Sequence, residues 1–497
     1  MRLKIVVATS FFVLSAICAA QSMEMRQKDA DDFRDGFLST LPDSIAKSDF
    51  LSVNPAGNAL EAVFDFSRLL AGVDPQTFAM TGLSPWSLFV TPQDNGTAKV
   101  DAQGSVDGTA KAKAHDGTPV DVRYKISSLI MKGLLGVSDA KLDISTKDVD
   151  YLFNSSNSRS DFRADSIDYS ADLVTKSRDQ RHWDIRGSST LAGVHHRASQ
   201  PDGASVEISA AKIYRNYGWT DVPKKEFTNL ASFIFARLGE TLVNDDVARD
   251  DKIKSYPADS EEFRRLLVAS FPLLSTLSDF AYAKNVAVLS PVGILTAGDL
   301  GYQIILQGKS DAMQLSLQAS ANAMQIDSSM IPASYSALLP NSFDIEVNLD
   351  GLDFASAGNV MLTAPLLTKA DTEEMGEKTV DSLMDKASIA VRELKLKSSI
   401  YDLSMLGEVH QVDDKISQVF FTVWAYNFDR SIAAVQELVK TKPDLNSLNL
   451  WMMMAKGAAK TDTEDGSLRW TVVLDSDGSA TVNGQLFKGP NNPAQKN

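Results

Sequence analysis

The sequence predicts an α+β chain, mainly β, made of large curved antiparallel sheets with flanking helices. Three observations carry this reading. Apolar and polar residues alternate over strand-length segments through most of the chain, turn residues punctuate those segments at even spacing, and helical periodicity is confined to a few stretches. Many strands with one apolar face point to antiparallel sheets.

The first strands lie between 97 and 126, where Ala98, Val100 and Ala102 alternate with Lys99, Asp101 and Gln103. Asp94-Asn95-Gly96, Asp107-Gly108 and Asp116-Gly117 read as turns. The same alternation recurs in KLDISTKDVDYLF, FRADSIDYSADLV, HWDIRGSSTLAGV and VEISAAKIYRNYGW. Beyond the middle it returns in MQLSLQASANAMQI, SFDIEVNLDGLDF, RELKLKSSIYDLSML and QVFFTVWAYNF. The closing segment SLRWTVVLDSDGSATVNGQLF reads as a hairpin turning at Asp477-Gly478.

Helices are expected at six places. The stretch 58–70 begins with the capping-box-like pair Asn58 and Glu61 and carries Leu60, Val63, Phe64 and Leu70. A helix over 225–243 places Phe227, Leu230, Ile234, Leu238 and Leu242 on one face. Asp259 and Glu262 cap a third, running to about 281 with a kink at Pro272. The remaining three fall at 372–386, 431–441 and 445–459. The expected organisation is a signal peptide at 1–20, a β-rich half at 21–222, a helical middle at 223–283 and a second β-rich half at 284–497. No clean sequence repeat relates the two halves.

MRLKIVVATSFFVLSAICAA, residues 1–20, has a basic start at Arg2 and Lys4, a short apolar run and small residues after it. That is the pattern of a secretory signal peptide cut after Ala20, which implies export to the periplasm. Cleavage removes Cys18, the only cysteine, and with it any disulfide or thiolate metal site. No later segment is apolar enough to form a transmembrane helix. Without Arg2 and Lys4 the balance is 47 basic against 64 acidic residues, a net charge of −17. Such a surface repels phosphate backbones, so nucleic acid is not an expected partner.

Two segments bear a family likeness: Leu338-Leu339-Pro340 followed by SFDIEVNLDGLDF, and the tail LRWTVVLDSDGSATVNGQLF with a helix before it. With the signal peptide, these resemble a bacterial family of secreted proteins known only as a domain of unknown function. More distantly, the organisation resembles AsmA-type envelope proteins, whose curved sheets are like open gutters for acyl chains. The resemblance implies an architecture and an envelope location. It carries over no catalytic residue.

Chemistry-bearing motifs are sparse. Of five histidines (His115, His182, His195, His196 and His410), only His195-His196 are adjacent, and neighbours on a strand point to opposite faces. No H-E-x-x-H, G-x-S-x-G, P-loop or G-x-G-x-x-G motif occurs. Gly133 to Gly136 and Gly298 to Gly301 read as turns. Asp475 and Asp477 flank the last hairpin and read as turn residues. No cofactor or metal is expected, and paired carboxylates for hydrolysis cannot be picked out among the acids.

Two apolar features remain. Trp451 and Met452, followed by Met453 and Met454, lie on a helical pattern with Leu445 and Leu448. Strand alternation puts Phe420, Trp424, Tyr426 and Phe428 on one side and Phe421 on the other. Core packing explains both features by default, and lining of a lipid groove is the sharper reading. The expected function is therefore non-enzymatic binding of a lipid or other apolar envelope component along a curved sheet. A structural or assembly role through protein contacts is the alternative, and an undetected hydrolase the third.

Overall fold

The computed structural model describes residues 24–490 apart from 40, 42, 72, 114–116, 137–138, 177–180, 244–261, 264, 267–273, 364–368, 413–414 and 464. The signal-peptide reading and His115 fall outside the described residues. The chain divides into two compact units, Met1–Leu277 and Ser278–Asn497. Both are mainly β and antiparallel, and no helix among the described residues is long and apolar enough to cross a membrane.

In the first unit, helices α1 (Gln27–Leu38) and α2 (Asp43–Ala46) precede β1 (Leu51–Ala56), β2 (Ala59–Phe64), a 3₁₀ turn (Phe66–Leu70), β3 (Phe78–Met80) and β4 (Trp86–Pro92). Six long strands follow: β5 (Ala98–Lys113), β6 (Pro119–Leu135), β7 (Ala140–Ser155), β8 (Arg159–Thr175), β9 (His182–Ser199) and β10 (Ser205–Pro223). Helix α3 (Lys224–Val243) comes next. Pairing runs β1–β2–β4–β5–β6–β7–β8–β9–β10, with β3 on the far end of the β5 edge that β4 occupies. Each long strand joins the next in sequence, as a meander of hairpins requires.

The core of this unit lies under α1. Ala30, Phe33 and Phe37 of α1 pack on Phe50, Leu60, Ala62, Val90, Val100 and Leu135, all buried. The side chains of α1 that reach the sheet follow its 3–4 residue spacing, and its opposite face carries Asp31, Asp32, Arg34 and Asp35.

A coordinated irregularity crosses the long strands. Between β5 and β6 the register slips at Gly104/Val106, where β6 holds one extra residue. The slip then persists in step: Ser127 lies opposite Asp148, Asp148 opposite Asp165, Asp165 opposite Gly193, and Gly193 opposite Ala211, none of them paired in the ladder. Asp148 and Gly193 have left-handed φ values of 49° and 58°, and the Ser127 hydroxyl donates to Asp148 Oδ2 at 2.6 Å. Each extra residue inverts the alternation within its strand. The apolar side of every strand therefore stays on one face along its whole length, while the strands bend and twist more strongly.

In the second unit, β11 (Thr276–Ser290), β12 (Gly293–Lys309), β13 (Ala312–Asn322), β14 (Gln325–Ser328) and β15 (Ser342–Leu352) lead to helices α4 (Phe354–Thr363) and α5 (Lys369–Met384). Strands β16 (Ser388–Lys397), β17 (Asp402–Val412) and β18 (Lys415–Tyr426) precede α6 (Phe428–Thr441) and α7 (Asn446–Ala458). The chain closes with β19 (Lys460–Thr461), β20 (Leu468–Asp475), β21 (Ala480–Val482) and β22 (Gln485–Lys488). Pairing runs β12–β13–β15–β16–β17–β18–β20–β21–β22, with β14 beside the start of β12. The Tyr282 hydroxyl of β11 donates to Asp299 of β12.

Asp353 shows how a helix is started here. Its carboxylate accepts from the Ser356 amide at 2.9 Å and from the Ser356 hydroxyl at 2.9 Å, capping α4, with Lys386 Nζ at 3.3 Å. The Ser356 hydrogen bonds, reinforced by Lys386, hold this carboxyl below its usual range. A carboxyl with a depressed folded-state pKa stabilises the fold above its unfolded pKa, and the contribution is lost as pH falls through the folded value. Asp353→Ala is expected to cost about 1 kcal/mol at neutral pH. It should also shrink the loss of stability on acidification below about pH 4, as measured by urea unfolding across pH.

Several expectations are corrected. The helix at 58–70 is instead β2 followed by a 3₁₀ turn, because Gly57, at φ 68°, and Asn58 turn β1 back onto β2. The third helix does not reach 281, since β11 starts at Thr276. Pro272 lies outside the described residues. Asp107-Gly108, Gly133 and Gly298 to Gly301 are not turns but lie inside β5, β6 and β12.

Candidate functional site: one apolar face on each sheet

Directly paired residues of an antiparallel sheet point to the same face, so the register assigns every side chain to a side. In the second unit one side is apolar across seven strands. A row across it reads Ile304, Leu317, Val347, Val391, Gly407, Phe421 and Val472. A neighbouring row reads Tyr302, Ala319, Ile345, Leu394, Met405, Val423 and Trp470. The opposite side carries Gln303, Gln318, Glu346, Glu393, Ser404 and Thr422.

The first unit repeats the arrangement. One row of its apolar side reads Leu129, Thr146, Ile167, Leu191 and Ile213; another, beyond the line of extra residues, reads Tyr124, Tyr151, Phe162, His196 and Ile208. The reverse side bears a ladder of charges, with Lys99 bonded to Asp101 at 2.7 Å and Arg163 to Asp161 at 3.2 Å.

These apolar faces are covered only locally. In the first unit α1 closes the β1–β5 end, and Phe227 of α3 packs edge-on against Trp219 at 6.5 Å. In the second unit Phe354, Leu383 and Met384 pack on Met313 and Leu352. Phe428 meets Trp470 edge-on at 5.4 Å, and Trp470 Nε1 donates to Ala455 O at 2.7 Å. Between these caps the apolar side chains are half-buried or exposed. Leu300, Tyr302 and Leu474 each retain 39% of their surface, and Tyr151 retains the same. Neighbours within one sheet can bury such side chains only in part, and a second packed layer would bury them almost completely.

The register also places the residues singled out in the sequence. Phe420 pairs with Glu408 and Val473, Trp424 with Ser404 and Arg469, and Tyr426 with Asp402. All three lie on the polar side of the sheet. Phe421, between Gly407 and Val472, lies on the apolar side. Phe428 does not share the strand: β18 ends at Tyr426, Asn427 turns with φ 54°, and Phe428 opens α6 over Trp470. Trp451, Met453 and Met454 point outward from α7, each at least half exposed, while Met452 is half-buried.

The polar candidates behave as structural groups. His195 Nε2 sits 3.0 Å from Glu207 on the polar side, whereas His196 bonds Ser160 Oγ at 2.9 Å on the apolar side. The Asp477 carboxylate accepts from the Ser479 amide at 2.8 Å, and Asp475 O accepts from the Gly478 amide at 2.9 Å, so both acids build the turn. Among the described residues no group of three or more His, Cys, Asp or Glu could hold a metal ion. Comparison of the chain with protein-family models, curated proteins and solved structures gives no match.

Proposed function

We propose that this chain is a non-enzymatic envelope protein, exported to the periplasm, that holds the acyl chains of a lipid or similar amphiphile on the apolar faces of its curved sheets. The observation that carries this reading is the predominantly apolar side of each sheet, half-exposed between its capping helices. A soluble protein gains by covering such a surface. Each buried methylene contributes about 0.8 kcal/mol. Ten methylenes then supply about 8 kcal/mol, from which the costs of ordering and association are drawn.

A second reading rests on a different surface. The outer face of α7, with Leu450, Trp451, Met453 and Met454 exposed, fits an assembly role through contact with another protein. Native mass spectrometry of protein purified from its own envelope, followed by lipid extraction, separates the two. Acyl-chain binding predicts added masses of lipid size that disappear on extraction. A bare polypeptide mass would leave the assembly role as the better account.

A further inference from the structure

Helix α7 is apolar on both of its sides. Met452 and Ala455 on its inner side are half-buried, and Trp470 of the sheet donates to the Ala455 carbonyl at 2.7 Å. Leu450, Trp451, Met453 and Met454 make the outer side and are each at least half exposed. No Lys, Arg, Asp or Glu stands between Asn446 and Ala455. A helix that is apolar all round is stable where both sides are covered, and only the inner side of α7 is covered by the described residues. Lysines flank this helix: Lys440 and Lys442 precede it, Lys456 and Lys460 lie at its far end, and Asp444 is the single acid from 438 to 460. That sign is opposite to the net charge of −15 on the whole chain. Lys440 pairs with Glu437 and Lys456 with Asp429, while Lys442 and Lys460 stand at the two ends. Beyond Lys460 the Asp465 carboxylate turns into its own loop and accepts from the Ser467 amide at 2.9 Å. The β21–β22 hairpin is tied to the end of α7 by Asn483 Nδ2, which donates to Ala458 O at 2.7 Å, and it exposes Leu486 and Phe487.

We propose that the outer side of α7 docks on a lipid bilayer with anionic headgroups, the helix lying in the interface with Trp451, Met453 and Met454 turned toward the acyl chains. Trp suits that boundary because its ring is apolar and its indole N–H can still reach water or a headgroup oxygen. The flanking lysines reach anionic phosphates with their charged ends while their stems lie along hydrocarbon. A bilayer also asks for no register, and the outer side of α7 offers no charged group between its ends to set one. A second copy fits less well, since it would bring the same lysines and another net charge of −15. Trp470, to which α7 is bonded, lies on the apolar side of the sheet, so a docked α7 would hold that face of the second unit beside the membrane. The inference goes beyond the acyl-chain reading and stands on a different surface.

The test is flotation of the protein, purified from its own envelope, with vesicles of phosphatidylcholine alone and of phosphatidylcholine mixed equally with phosphatidylglycerol. The wild type is expected to float with the mixed vesicles and to do so less as salt is raised. Trp451→Ser combined with Met453→Ser and Met454→Ser should weaken binding to the mixed vesicles about tenfold or more. Lys442→Gln with Lys460→Gln should weaken it about tenfold and leave binding to phosphatidylcholine alone unchanged. If the triple variant melts below the assay temperature, Trp451→Phe supplies the comparison: it should still float and should lose the emission that brominated lipid quenches in the wild type. Absence of flotation by the wild type overturns the inference. So does flotation that survives the triple substitution with folding intact, or quenching by brominated lipid that is the same in Trp451→Phe. A dimer in sedimentation that the triple variant breaks, without flotation, also overturns it and gives the face to a second copy. None of these results touches the acyl-chain reading, which is tested at Phe421 on the sheet.

Discussion

Phe421→Asp should abolish lipid carriage while the neighbouring Phe420→Asp leaves it nearly unchanged. The two residues are adjacent on β18 and face opposite ways. Phe421 lies over Gly407, whose missing side chain makes the space, and beside Val472. A carboxylate there would stand against hydrocarbon without a partner, a cost of several kcal/mol that falls on any acyl chain laid over it. Phe420 stands among Glu408, Gln418 and Val473, on a side where polar groups are already hydrated. Lipid recovered per mole of protein is the measurement, with circular dichroism and melting temperature as the check on folding. Equal loss of lipid in both variants, with folding intact, would remove the apolar face from the account.

Phe33→Ala should destabilise the first unit by about 3–5 kcal/mol. Phe33 is 2% exposed and sits between α1 and the sheet, in the cluster that includes Phe37, Leu60 and Val90. Leu60 and Val90 are completely buried, so little in the surroundings can collapse into the space left behind. Urea unfolding should show the lower midpoint. A cost below about 1 kcal/mol would mean that α1 does not close that end of the sheet.

Much of this architecture was legible because a strand with one buried face must alternate, and an amphipathic helix must repeat at 3.6 residues. The helices expected at 225–243, 372–386, 431–441 and 445–459 correspond to α3, α5, α6 and α7 within a few residues. Where the reading failed, local chemistry had two meanings. Asn58 and Glu61 imitate a helix cap, yet Gly57-Asn58 is also a hairpin turn, and the buried Leu60, Ala62 and Phe64 are spaced by two. Gly108 looked like half of a turn. It lies in mid-strand because Tyr124 and the Thr81 carbonyl approach where a side chain would be.

The site was less legible for a different reason. β18 is apolar on both sides, so its own alternation cannot say which side faces the trough. That is decided by its partners: Phe421 pairs with Gly407 and Val472, Phe420 with Glu408 and Val473. Cross-strand register is not written in any single strand. In the first unit the extra residues at Ser127, Asp148, Asp165, Gly193 and Ala211 also invert the alternation within each strand, which hides the continuity of the face.

The most direct test of the central claim is photolabelling with a fatty acid bearing a diazirine at mid-chain, followed by peptide mapping at residue resolution. The account predicts labels on one side of the strands, such as Val347, Leu394, Phe421 and Val423, with Phe420, Thr422 and Trp424 spared. Labels divided evenly between Phe420 and Phe421, or confined to the outer face of α7, would contradict it.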